Sequence, residues 1–281
     1  MRNVLWVLLA SMLLAGCATV VNNAASAFGE NLSSAILNQD DPAIVKAGMP
    51  SYILLLDSFL QDDRDNAAIL DAAANLYASY GAVFADEPQR AQRLTRRARD
   101  YANEAACLVV SDACQWRDLT FDEFEASLLA VESDDAEMLY TWGLASLAYI
   151  RAHSSDYGAL AQIPQATAAM QRYITLAGDD ANAAAHSYLG ILKTFRGELG
   201  GQMDEGKAEF ERAIYLSRDR DLSAKVEYLK GYARARYDRE LNDQLCDEIL
   251  TASPYADGYT LTNVLAQEEA TTLCAEADDY F

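Results

Sequence analysis

Along most of this chain, apolar residues return every three or four positions, and nowhere do they alternate with polar ones long enough to make a strand. The clearest stretch is 184–216, AAHSYLGILKTFRGELGGQMDEGKAEFERAIYL. In its first half His186, Leu189, Gly190 and Lys193 stand at relative positions 0, 3, 4 and 7, on one face of a helix. In its second half Phe210 and Ala213 recur at i, i+3, with Ile214 completing the stripe. Gly190 has no side chain, so a neighbouring helix can approach it closely. A Leu-Gly in one helix followed by a Phe-x-x-Ala in the next is the logic of a tetratricopeptide hairpin. The glycine-rich turn after Arg196 is longer than that repeat's consensus.

The same spacing recurs. Leu70, Ala73, Ala74 and Tyr77 repeat it within 66–83; Leu139, Trp142, Gly143 and Ser146 within 136–153; Val226, Leu229, Lys230 and Ala233 within 223–237. Each is followed by a partner: 87–106, 162–176 with Pro164 at its start and Gly178 past its end, and 240–251 closed by Pro254. Before the first repeat, 24–38 reads as a helix with Phe28, Leu32, Ala35 and Ile36 along one side. The segment 43–60 follows the Asp40-Asp41-Pro42 start signal. It is apolar almost all round after Pro50, which places it at the centre of the fold, with Pro50 kinking or restarting it. Residues 108–120 read as loop, and 121–129 as a short helix under a Thr120/Glu123 capping box. Asp134 and Asp135 read as a helix cap, and 262–280 as a last helix closing the open end. The pattern predicts an all-α chain, its tetratricopeptide-like hairpins stacked as an α/α superhelix over residues 24–281.

The first residues obey a different rule. Arg2 precedes an apolar run from Val4 to Ala15 that ends in Leu14-Ala15-Gly16-Cys17. A short basic start, an apolar stretch too short to span comfortably, and small residues before a cysteine make 1–16 a lipoprotein signal peptide. The Cys17 thiol takes the lipid, residues 17–23 form the tether, and acyl chains hold the protein at the membrane. Ala18 follows, where an Asp would retain the protein at the inner membrane, so the expected place is the periplasmic face of an outer membrane. The chain of 281 residues has a formal net charge of −21. With no basic cluster beyond Arg90 to Arg99, that balance excludes nucleic acid as a partner. It reads as a solvated acidic surface. Of five cysteines, four remain once Cys17 is acylated: Cys107, Cys114, Cys246 and Cys274. An even number in an oxidising compartment suggests two disulfides, with three connectivities open and Cys107–Cys114 and Cys246–Cys274 favoured by proximity in sequence. Zinc is the rival, but C-x-x-C spacing and a nearby histidine are missing.

Catalytic signatures are missing too. The two histidines, His153 and His186, are far apart, and no P-loop, nucleophile elbow or dinucleotide fingerprint occurs. Neither catalytic residues nor a cofactor is expected. Repeat geometry instead points residues beside the packing stripes into a concave wall. These are Asp71, Asn75 and Ser79; Tyr140, Leu144 and Leu147; Ser187, Ile191, Thr194 and Phe195; and Glu227, Gly231 and Arg234. Such an amphipathic mixture suits a peptide, a partner helix or a small ligand with an apolar body.

Several stretches taken in order resemble one family: the lipobox at Cys17, LLLDSFL at 54–60, DAAANLYASYGAVF at 71–84 and RAQRLTRRARDYA at 90–102. MLYTWGLASLAYI follows at 138–150, HSYLGILKTFRGELGG at 186–201, EFERAIYLSRDRDLSAKVEYLKGYAR at 209–234 and NVLAQEEATTLCAEADDYF at 263–281. Together they resemble the T-component lipoproteins of TRAP (tripartite ATP-independent periplasmic) transporters. The resemblance implies an all-helical, tetratricopeptide-like accessory that associates with the substrate-binding P-component. It also implies a possible homotrimer with a pore through each subunit, and a small apolar or organic-acid ligand. It carries over no catalytic residue, and only Cys17 with a defined role. The four further cysteines depart from the family pattern. The residues leave a second reading open, a repeat lipoprotein that scaffolds envelope assembly complexes.

Overall fold

The computed structural model describes residues 31–180, 182–195 and 202–281. The lipobox with Cys17, Phe28 and the glycine-rich turn after Arg196 lie outside them. The described residues are 79% helical and contain no strand.

Helix α1 (31–37) turns half-buried Leu32 and Ile36 inward. Asp41 then accepts a bond from the Ala43 amide and starts α2 (Pro42–Asp62), with Pro42 in its first turn. Four hairpins follow. Helix α3 (Ala67–Val83), capped by Asn66, packs on α4 (Pro88–Val109), and α6 (Ala136–Ala152) packs on α8 (Ile163–Ala177). Helix α9 (Ala183–Thr194) packs on α10 (Met203–Ser217). Helix α11 (Leu222–Tyr228), widening into a π-helical run over Leu229–Arg234, packs on α12 (Arg239–Thr251). Short α5 (Phe121–Leu128), α7 (Tyr157–Leu160) and terminal α14 (Ala277–Tyr280) fill in around them, and α13 (Thr260–Ala275) lies against α11 and α12. The Thr120/Glu123 capping box is formed.

Close approach within the α6/α8 and α9/α10 hairpins is made by glycine. A Cβ on Gly143 would stand 2.7 Å from the Met170 methyl, and one on Gly190 would stand 2.6 Å from the Phe210 ring. These two glycines therefore seat the partner helix of their own hairpin. The glycine that lets successive hairpins nest is Gly231, whose Cβ would lie 2.7 Å from Thr194 Oγ1.

Four expectations change. Helix α2 is not central: only Val45, Met49, Ile53 and Leu60 are buried, while Ile44, Leu54, Leu55 and Phe59 stay exposed. It lies at the start of the array, packed mainly against α3. By length and composition it could cross a membrane, yet Asp57 ties it to the bundle by accepting hydroxyl bonds from Tyr77 (2.7 Å) and Tyr101 (2.8 Å). Pro50 does not interrupt it, and α2 runs unbroken through this half-buried position. Segment 108–120 is no plain loop, because α4 runs to Val109 and a 3₁₀ turn covers Ser111–Gln115. That turn drives Trp116 against Phe124 and Trp142, ring centroids 5.3 and 5.4 Å away. Asp134 and Asp135 make no side-chain cap; they form a 3₁₀ turn before α6. Disulfides join Cys107 to Cys114 and Cys246 to Cys274, the second linking α12 to α13.

The two ends of the array meet. Tyr255 donates to Asp40 (3.4 Å), the Gly258 amide donates to Asn38 (2.8 Å), and α13 touches α2. The first helices of the four hairpins therefore curl round an interior that α13 closes.

Candidate functional site: a cavity ringed by five helices

That interior holds a cavity of about 560 Å³ lined from α3, α6, α9, α11 and α13. Its size is that of a small-ligand pocket. Apolar wall comes from residues such as Val83, Leu144, Leu147, Ile191, Val226 and Leu265. Ser79, Ser187, Ser223 and Thr262 supply hydroxyls.

A chain of charges crosses the lining. Arg151 of α6 donates to Glu227 of α11 at 3.0 Å. Lys230, one turn on, reaches Glu227 at 3.3 Å and Glu269 of α13 at 2.7 Å. Burial alone would raise the Glu227 carboxyl, but Arg151 and Lys230 outweigh it and hold the group below its ordinary range. The attraction of Glu227 likewise raises Arg151 against the effect of burial. Three of the five lining helices are thus joined by ion pairs, which keep Arg151, Glu227, Lys230 and Glu269 mutually satisfied.

Of the residues expected on the concave wall, Ser79, Leu144, Leu147, Ser187, Ile191 and Glu227 line the cavity. Asn75 lies a turn below Ser79 and accepts a 3.4 Å bond from it. Tyr140 stands behind the wall, its ring 5.9 Å from that of the lining residue Tyr188 and 5.2 Å from Tyr173. Asp71 turns to α6 and accepts from Thr141 at 3.1 Å. Thr194 is buried against its own helix, donating to the Gly190 carbonyl at 2.8 Å, and Phe195 packs on the core below. Gly231 faces Thr194 and Phe210. Arg234 is buried away from the cavity, donating to the Leu273 carbonyl under the Tyr280 ring.

The π-helical run accounts for Arg234. Its wider turn winds fewer degrees per residue, so six residues accumulate a lag of roughly one residue, about 100°. Sequence spacing assumes a constant turn and carries Arg234 to the wrong face. Three groups were missed for other reasons. Lys230, read as part of the packing stripe of 223–237, lines the cavity instead. Arg151 sits four residues after Leu147 and seven after Leu144, a continuation of the same face that the sequence does display. The α13 residues left no such signal, because only the closing of the ring brings them inside.

Among the described residues, no group of three or more His, Cys, Asp or Glu side chains is placed to hold a metal ion. No curated protein matches the chain. The family model described as TRAP transporter T-component matches residues 38–281. That span takes in every helix of the ring, from the α1–α2 junction to the end of α14. An all-helical array matched over that length places the chain in the T-component family of TRAP transporters, accessory components of an envelope transport system rather than a known enzyme family.

Proposed function

We propose that this protein is a lipoprotein anchored through Cys17 on the periplasmic face of the outer membrane. There it binds the substrate-binding P-component of a TRAP transporter and holds a small ligand with an apolar body in the five-helix cavity. The observation that carries the reading is the cavity itself, lined by five helices of a T-component chain. Family membership supplies the transporter; the apolar wall supplies the class of ligand. Assembly as a homotrimer belongs to the same proposal.

Capture from periplasmic extract on the immobilised protein tests it. The expected result is retention of a TRAP P-component, and its absence with and without added extract metabolites would sink the reading. Labelling with radioactive palmitate should be lost in Cys17→Ser. Native mass spectrometry reads the subunit number.

A further inference from the structure

The charges in the cavity constrain its ligand further, granted the reading that this cavity is a binding site. Its lining carries two cations, Arg151 and Lys230, against three carboxylates, Glu227, Glu268 and Glu269. Both cations are already engaged, Arg151 by Glu227 and Lys230 by Glu227 and Glu269. A ligand carboxylate would have to displace one of these. If it displaced Glu227, whose side chain is only 20% exposed, a largely enclosed carboxylate would lose its partner. Glu268 is exposed and, among the described residues, has no ion-pair partner, and Glu269 is shared with Lys230 alone. Their oxygens can accept from a ligand without breaking anything. The whole chain points the same way, since its net charge of −21 draws cations toward the cleft and repels anions.

We propose that the cavity takes an apolar molecule with an ammonium or other hydrogen-bond-donating end, and discriminates against the same body ending in a carboxylate. The apolar part lies along Leu144, Leu147, Ile191 and Val226, and the donor meets the α13 carboxylates.

Hexylammonium, 1-hexanol and hexanoate share one body and differ in the end group. Their dissociation constants at pH 7 are measured by ligand-detected NMR, using the full-length lipoprotein in nanodiscs with empty nanodiscs as reference. Hexylammonium should bind at least ten-fold tighter than hexanoate, with hexanol between. Hexanoate binding as tightly as hexylammonium, or more tightly, overturns the proposal while leaving the cavity a ligand site. Glu227→Gln frees Arg151 and should narrow or reverse the preference. The exposed Glu268→Gln/Glu269→Gln pair should weaken hexylammonium several-fold and leave hexanol unmoved, with Glu268→Gln alone, which breaks no ion pair among the described residues, as the check on folding; an unchanged hexylammonium constant in the pair is also contrary. Ala82→Trp, at an exposed position of the lining, should weaken all three. If it weakens none, the probes bind elsewhere, and the site reading falls with this inference. Retention of the P-component in the capture experiment is independent of every one of these outcomes.

Discussion

Nδ1 of His186 lies 2.7 Å from Oε2 of Glu209, while its Nε2 lies 2.9 Å from the Asp179 carbonyl oxygen. Both neighbours can only accept, Glu209 being ionised, so both ring nitrogens must donate and the geometry requires an imidazolium. Burial works against that charge, but the Glu209 and Asp179 bonds prevail and raise the pKa above its ordinary value. His153 is built the other way. Its Nδ1 donates to the Tyr149 carbonyl at 2.9 Å, and Nε2 faces an Arg96 guanidinium nitrogen at 3.5 Å, so the neutral ring fits. Burial is the main reason its pKa is lowered, with the Arg96 and Arg99 charges adding to it. The two histidines should therefore titrate on opposite sides of about 6.5, read by imidazole NMR, and Glu209→Gln should bring His186 down. By linkage, the stabilisation from His186 is complete below the unfolded value and is lost as pH rises through the higher folded one. A shared midpoint for the two rings would contradict this.

Asp71 gives the opposite sign. One carboxylate oxygen accepts from Thr141, and the other is buried with no partner among the described residues. Burial pushes its pKa up to about 6. The folded state then holds a proton that the unfolded chain has released, so stability falls as pH rises from about 4 to about 6 and stays lower above. Asp71→Asn should recover of order 2 kcal/mol at pH 8 and nothing at pH 4. Denaturant melts at the two pH values decide it. A variant less stable at pH 8 would mean that the carboxylate is stabilising after all.

How much of this was legible in the sequence depends on what each residue answers to. Hairpin partners and the all-helical class follow from local chemistry; Asp41 and the Thr120/Glu123 box mark their helices as written, while Asp134 and Asp135 make no cap. The inner wall was legible at Leu144, Leu147, Ser187 and Ile191, but the same period also pointed Asp71, Tyr140 and Thr194 at it, and their partners lie on other faces. It failed at Arg234, where the π turn changes the period. Helix α2 shows a different limit. Apolar composition reports what a helix could bury, while its place at the start of the array decides what it does bury.

Gly190 offers a test of the hairpin packing. Alanine is the better helix former by roughly 1 kcal/mol. Here, however, its Cβ would fall within 2.9 Å of three atoms of the Phe210 ring, which is fully buried and has no room to retreat. Overpacking of this kind costs about 1–3 kcal/mol before the propensity gain, so Gly190→Ala should be neutral to destabilising. Gly48→Ala, with nothing within 4 Å, should stabilise. Thermal melts of the pair compare the two terms directly; equal gains at both positions would show that Phe210 yields freely.

The disulfides should differ in weight. Cys246–Cys274 spans 28 residues and Cys107–Cys114 spans 7. Loop-closure entropy makes the longer link worth about 1 kcal/mol more. The longer one also ties α12 to α13, the helix that closes the cavity. Replacing Cys246 and Cys274 by serine should lower the denaturant midpoint more than replacing Cys107 and Cys114, and should speed hydrogen exchange in α13. The reverse order would count against the loop argument.

Asp57 should be the residue that holds α2 in place. Its two oxygens accept from Tyr77 of α3 and Tyr101 of α4. The two rings meet edge to face at 5.7 Å, with the Arg97 guanidinium 5.6 and 5.4 Å from their centroids. The helix buries little else, so hydrophobic contact alone leaves it weakly held. Bonds to a charged acceptor contribute about 1.5–3 kcal/mol each when buried. Asp57 is only half-buried, which brings Asp57→Ala to about 2 kcal/mol in all. Asp57→Asn should cost less, because its amide oxygen still accepts from one tyrosine while its NH₂ can donate to the other. The loss should be local: hydrogen exchange should quicken across Pro42–Asp62 and remain slow in α9 and α10, which belong to another hairpin. If α2 stays as protected in Asp57→Ala as in the parent, then Val45, Met49, Ile53 and Leu60 hold it unaided, and the double tyrosine clasp contributes nothing to its seat.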